Sequence, residues 1–354
     1  MRYVQTKDLT PGMMVGRDVI GRSGIVLLER GKCLTRNQIG NLPSWGVGYL
    51  CICEDGDAPP RPNADFALSR ATFDRKYEEA VWLVRNVFEN ARHFKQIPIA
   101  ELRGIVDRII RPLINTVGVL DYLYEIDLHC EKTFQHSVNV AVITGIFSKW
   151  LNYDEEEYDN LVLAGLLHDI GKIFVPLSIL HKPGKLSELE FSTIAKHAED
   201  GYYFIKESNE ISGGAKMAVL QHHERIDGSG YPFGLINGDI HGYAKVVAVA
   251  DIYEAMTSNR SYRSKLTPLE AMETIVGQMN DKLDIRVCLP FLDIMRDHIL
   301  GSNVLLSDGQ KAKIIILPCN GWTKPIVRAH DGRLLDLKNE EVCIVDFQIG
   351  RAHV

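Results

Sequence analysis

The sequence predicts a mainly α-helical protein with a small β-rich unit at its start and a short antiparallel β appendage at its end. Three observations carry this. Apolar residues recur at helical spacing through the middle of the chain, as at Phe73, Tyr77, Ala80/Val81, Val84 and Val87/Phe88. Short apolar runs punctuated by glycine fill the first fifty-odd residues. Beyond residue 300, Asp308-Gly309 and Asp331-Gly332 stand between β-favouring runs, the mark of tight antiparallel turns.

In chain order, residues 1–56 read as the β-rich unit, with apolar runs at 24–31 and 46–53 and a helix from about Thr35 to Leu42 joining them. Residues 54–62 collect three prolines, a glycine and three acids, which suits a linker. From 57 to 120 the chain reads as that linker followed by connecting helices, whose apolar stripe serves packing and gives a face for a homodimer. Residues 121–300 continue as helices and hold nearly all the histidine and aspartate groups of interest. Residues 301–354 form the β appendage.

Composition narrows the function. At 354 residues, 45% hydrophobic and 24% charged, the chain is an ordinary globular one with room for two or three compact units. Its formal net charge of −6, with no long run of lysine and arginine, argues against broad binding to duplex nucleic acid. Charges and a proline in the first twenty residues break up any secretory signal, and no run of eighteen apolar residues offers a membrane span. Seven scattered cysteines, an odd number, fit reduced thiols and a cytoplasmic location.

The chemistry lies in two segments about fifty residues apart. The first is Leu-Leu-His168-Asp169-Ile-Gly171-Lys172, and the second runs from His222-His223 through Asp227-Gly228-Ser-Gly230-Tyr231-Pro232. Adjacent residues on a helix diverge by about 100°, so His168 and Asp169 converge on one site only near a helix end, and Gly171 supplies that end. Lys172 falls one helical turn after His168, where its ammonium would approach a bound hydroxide or phosphate. Two consecutive imidazoles before a glycine-rich turn favour metal binding over packing.

His136 lies on an apolar stripe, where a histidine alone is more often a hydrogen-bonded core residue than a ligand. His197 falls at the end of a helix that Ser187 and Glu190 open as a capping box. Asp251 closes the apolar run Val-Val-Ala-Val-Ala, where an unpaired carboxylate is costly and a cation would offset it. Arg260 and Arg263, three apart, share a helix side and suit a phosphate clamp.

The first segment resembles the HD phosphohydrolase signature, and the Gly230-Tyr231-Pro232 element resembles that of its HD-GYP branch. The stretch from Ala248 to Arg263 follows the family pattern AVADxxxALTSxRxYR, with Met256 in place of leucine. The resemblance runs from roughly Asp121 to Arg263. It implies an HD-type helical bundle and metal-dependent hydrolysis of a cyclic dinucleotide, usually cyclic di-GMP, in bacterial second-messenger signalling. It also raises His136 and His197 to ligands alongside His168, Asp169, His222, His223 and Asp251. Within the glycine-rich loop, Tyr231 and Pro232 are placed either to stack on a base or to anchor the loop.

Seven ligands without a thiolate exceed one tetrahedral ion and suit two iron or manganese ions, with zinc compatible. Asp169 is the expected bridge, and the implied reaction is in-line attack on one phosphodiester by a metal-bridging hydroxide. Some family members carry a glutamate one turn before the first histidine and bind a third ion. Lys132 stands there in this chain, so two ions are expected. The rival readings are a cyclic-dinucleotide sensor that does not cut, and an HD hydrolase acting on another nucleotide.

Overall fold

A computed structural model describes residues 2–16, 19–20, 26–43, 47–53, 68–116, 118–128, 132–151, 153–180, 182, 184–259, 264–318 and 321–348. The linker expected at 54–62 lies outside these residues, and so do Arg260 and Arg263. Contacts divide the chain into two units: residues 1–59, 267–274 and 289–354, and residues 60–266 with 275–288.

The first unit opens with strands β1 (Arg2–Gln5), β2 (Met14–Val15), β3 (Val19–Ile20) and β4 (Val26–Leu28), helix α1 (Arg36–Asn41) and strand β5 (Tyr49–Cys53). β5 is the central strand, antiparallel to β1 on one side and β2 on the other, while β3 pairs with β4. Thr35 and Gln38 cap α1 reciprocally, which starts the helix where the sequence places it. A cluster of Leu9, Val15, Leu28, Leu34, Leu42, Leu50 and Ile52 forms the core of this part.

The second unit is helical: α2 (Arg70–Phe94), α3 (Ile99–Ile105), α4 (Arg111–Ile114), α5 (Val119–Glu125), α6 (Lys132–Trp150), α7 (Glu155–Leu167), α8 (Leu177–Leu180), α9 (Glu188–Ala195), α10 (His197–Ile205), α11 (Gly213–Gln221) and α12 (Gly242–Thr257). Its centre is α6 and α7, packed on each other with α11 and α12 against them. These helices bury residues on every side, as an all-round apolar pattern requires, whereas α2 buries one stripe through Phe73, Tyr77, Ala80, Val81, Val84, Val87 and Phe88. That stripe packs on α6, so the connecting helices and the ligand-bearing helices form one unit.

Helices α13 (Pro268–Gln278) and α14 (Ile285–Ile299) follow. The chain then forms β6 (Asn303–Leu306), β7 (Lys311–Ile316), β8 (Ile326–Ala329), β9 (Leu334–Asp336) and β10 (Ile344–Gln348). They make an antiparallel sheet in the order β10-β6-β7-β8-β9. Both expected turns are present: Gly309 and Gly332 have positive φ, and the Asp308 and Asp331 carboxylates accept from the backbone N–H two residues on. Among the described residues no helix is long and apolar enough to cross a membrane.

Candidate metal centre

Each ligand-type side chain comes from an element whose local chemistry places it. Asp154 and Glu157 cap α7 reciprocally, and the helix runs apolar to Leu167. His168 is its C-cap, and at Asp169 the backbone leaves the helical region with φ −99° and ψ 9°. The change of direction lets the neighbouring side chains converge. A tight 3-10 turn, Ile170–Phe174, follows in place of a continuing α-helix. Lys172 therefore stands in an i,i+3 relation to Asp169, and the expected α-helical turn from His168 does not form; its Nζ donates to Asp169 Oδ2 at 2.5 Å.

Glycines at 171 and 201 make the next step. A Cβ on Gly171 would lie 1.9 Å from the His197 carbonyl oxygen and 2.6 Å from the Gly201 nitrogen. Only hydrogen side chains allow the turn after Asp169 to touch α10 backbone to backbone. His197 is the first residue of α10 and not the last of the preceding helix, because α9, capped by Ser187 and Glu190 as expected, ends at Ala195. His222 is the C-cap of α11, with His223 beyond it, while His136 and Asp251 sit inside α6 and α12.

The seven side chains meet in two groups among the described residues. Asp169, His197, His222 and His223 form one, and His136, His168 and Asp251 the other. Asp169 lies between them. Its Oδ2 is 3.3 Å from His168 Nε2 and 3.5 Å from His136 Nε2, while its Oδ1 is 3.2 Å from His197 Nε2 and 3.9 Å from His222 Nε2. His136 Nε2 is also 3.1 Å from Asp251 Oδ1.

The hydrogen bonds on the far side of four of the five rings settle which nitrogen faces inward. Nδ1 of His168 donates to the Gly165 carbonyl, that of His197 to Ile194 and that of His222 to Val219, at 2.7–2.9 Å. His136 Nδ1 is bound by Glu254 Oε2. A neutral ring held this way presents its Nε2 lone pair to the centre, the arrangement of a metal-ligating histidine. Two pairs of these nitrogens face each other at 3.2 Å, His136 with His168 and His197 with His222. Asp169 Oδ1 is buried without a hydrogen-bond partner. Inward lone pairs and an orphaned carboxylate oxygen fit a divalent cation, which would satisfy them together.

Electrostatics agree. Burial works against ionisation of Asp169, yet the neighbouring His168 and Lys172 outweigh it and hold the carboxyl well below the usual range. Asp251 is likewise depressed, burial again being outweighed, here by His136. Burial keeps His222 neutral far into acid and pushes His223 down to about 3. Such imidazoles are free to bind metal at neutral pH.

A pH dependence follows. His223 stays neutral in the fold but gains a proton near pH 6.5 when unfolded, so its contribution is complete above about 6.5 and is lost as pH falls toward 3. His222 acts in the same direction, and the two depressed carboxylates add to the loss below about 4. Chelated protein is expected to melt at a constant temperature above pH 7 and progressively lower toward pH 5, at roughly 1 kcal/mol per pH unit per buried imidazole. A melting temperature that rises on acidification contradicts this assignment.

Tyr231 stacks on His223 with ring centroids 4.6 Å apart and meets the edge of Phe191. The Gly-Tyr-Pro loop is held by a residue that sequence reasoning missed. Glu224, buried, accepts from Phe233 N at 2.8 Å and Leu235 N at 2.9 Å. Gly230 packs its backbone onto residues 223–225, where a Cβ would come within 2.4 Å of Glu224 Cα. Glu254 and Asn139 were missed too. The signal was available: Glu254 follows Asp251 by three residues and Asn139 follows His136 by three, each on the ligand's own helix face. Lys132 pairs with Asp127, whose other oxygen accepts from Asn259 Nδ2 at 3.0 Å.

Residues 124–287 match the family model for the HD domain. A cyclic di-GMP phosphodiesterase of Pseudomonas aeruginosa is 33% identical over 232 residues, covering 66% of this chain and 56% of that protein. The 3'3'-cGAMP-specific phosphodiesterase 1 of Vibrio cholerae is 39% identical over 163 residues, 46% of this chain and 38% of that one. The cyclic di-GMP phosphodiesterase response regulator RpfG of Xanthomonas campestris is 40% identical over 146 residues, 41% of this chain and 38% of its own length. This chain thus spans about half or less of these relatives. In fold it is similar to the solved structure of an HDG"Y"P protein from Bdellovibrio bacteriovorus, with a TM-score of 0.53 and 18% identity over 83% of this chain and 98% of the other. The match to the HD domain encloses His136, the His168-Asp169 pair and the Gly230-Tyr231-Pro232 loop, so residues 124–287 are an HD domain carrying those motifs.

Proposed function

We propose that this chain is a metal-dependent phosphodiesterase acting on a cyclic dinucleotide, cyclic di-GMP or a relative such as 3'3'-cGAMP, in the cytoplasm of a bacterium. The observation that carries this reading is the Asp169 carboxylate, whose two oxygens face two separate groups of imidazoles. His136, His168 and Asp251 would hold one ion and His197, His222 and His223, with Asp169, the other; the second oxygen of Asp169 also faces the first group. Nitrogen and carboxylate donors without thiolate favour iron or manganese and are compatible with zinc. The names of the relatives from Pseudomonas, Vibrio and Xanthomonas support the substrate class.

When bound, a pair of divalent ions supplies Lewis-acid activation of water and of the phosphodiester. The chain's residues prepare that step. The Nδ1 donations hold the rings in one tautomer and orientation, so little reorganisation remains at the moment of reaction. Lys172 brings a positive charge to Asp169, where it offsets negative charge building on the phosphate. Tyr231, fixed against His223, offers a ring for a base, and Arg260 with Arg263 clamps phosphate oxygens. Lys132, held by Asp127, stands in place of a third carboxylate, so two ions saturate the site.

Protein purified anaerobically is expected to carry two ions per chain and to open cyclic di-GMP to the linear dinucleotide, with 3'3'-cGAMP assayed beside it. Fully loaded protein that leaves both intact would sink the enzymatic reading and favour the sensor.

A further inference from the structure

A buried chain of hydrogen bonds leaves the metal centre and ends on a helix that lies before the matched HD domain. His136 Nδ1 is bound by Glu254 Oε2. The other carboxylate oxygen, Glu254 Oε1, accepts from Asn139 Nδ2 at 3.0 Å and from Ser258 Oγ at 2.7 Å. Asn139 Oδ1 in turn accepts from the Tyr77 hydroxyl at 2.6 Å. Tyr77, Asn139, Glu254 and His136 are all buried, at 0%, 1%, 3% and 4% exposure, so water does not substitute for a missing member.

The donors run one way. A tyrosine hydroxyl has one proton, and here it is given to the Asn139 carbonyl. That fixes the amide's orientation: Nδ2 must face Glu254. Glu254 then accepts from the amide on one oxygen and is bound to His136 Nδ1 through the other. Without the Tyr77 hydroxyl the Asn139 carbonyl loses its partner and the amide is free to shift from the position in which it donates to Glu254, which loosens the carboxylate's hold on His136. Partners of this kind, one shell beyond the ligands, commonly tune metal affinity by 10–100-fold.

We infer that Tyr77 is a positioning residue of the metal centre, acting through Asn139 and Glu254 to hold His136 in its metal-binding orientation. The inference rests on the metal-dependent reading above and adds to it a control point on α2, outside residues 124–287. Anything that shifts α2 shifts the hold on one of the two ions, the one bound by His136, His168 and Asp251.

The test is a Mn²⁺ titration of the full chain by calorimetry, with the melting temperature of the chelated protein measured alongside. Tyr77→Phe is expected to weaken one class of Mn²⁺ site by about tenfold and leave the other unchanged. Tyr158→Phe is the control, since the Tyr158 hydroxyl is also buried but has no hydrogen-bond partner. It is expected to leave both classes as in the wild type. In a Glu254→Gln background Tyr77→Phe should cause no further loss, because the path to His136 is already cut. Two outcomes overturn the relay alone: wild type that binds two ions with Tyr77→Phe matching it, or losses from Tyr77→Phe and Glu254→Gln that simply add. Wild type that takes up no Mn²⁺ overturns the metal reading itself and the relay with it.

Discussion

Asp169→Ala is expected to give a folded protein that retains neither metal ion and hydrolyses no cyclic dinucleotide. Among the described residues Asp169 is the carboxylate whose oxygens face both ligand groups, Oδ2 on one side and Oδ1 on the other. Removing it takes a ligand from each ion and leaves two cations facing each other without the charge between them. The scaffold does not depend on it, because α6, α7, α11 and α12 are packed by apolar residues. Activity should fall by at least about a thousandfold, the size of loss that follows removal of a group acting in the chemistry itself. Metal counting after gel filtration, with circular dichroism on the same sample, decides it. Two ions retained per chain would remove Asp169 from the bridge.

Gly171→Ala should produce the largest loss of stability among single substitutions at this site. The added methyl would meet the carbonyl oxygen of His197 at 1.9 Å and the nitrogen of Gly201 at 2.6 Å. Both are main-chain atoms, so no rotamer change relieves the clash and the turn must separate from α10. Overpacking of this kind costs about 1–3 kcal/mol and occasionally more. For a unit of this size that lowers the melting temperature by up to roughly 10 °C. The same separation draws Asp169 Oδ1 away from His197 Nε2, so the ion bound by His197, His222 and His223 should be lost first. Gly40→Ala is the matched control, an exposed helical glycine whose Cβ would meet nothing within 4 Å; it should be neutral or stabilise by about 0.5–1 kcal/mol. If Gly171→Ala melts with the wild type and keeps two ions, the close contact of the turn with α10 is not what aligns the two groups.

The sequence by itself determined everything that depends on near neighbours. Helical spacing located α2 and its buried stripe, the Ser187 and Glu190 pair located the start of α9, and the two Asp-Gly pairs located turns of the terminal sheet. These features are written in residues a few positions apart, where backbone propensity and capping act. The ligand-type residues were legible for the same reason, each standing in a short motif with an unusual group in an apolar setting.

The tertiary structure decided what those residues do together. The division of seven side chains into two groups, with one carboxylate between them, joins helices that are distant in sequence. So does the Glu254 contact with His136, across 118 residues. Local spacing does not encode such distances. It also misplaced two details: His197 opens a helix where the capping pattern suggested that it closes one, and Lys172 turns to Asp169 because the backbone tightens to a 3-10 turn. Both lie beside the close approach of Gly171 to His197 and Gly201, where two segments distant in local pattern meet backbone to backbone.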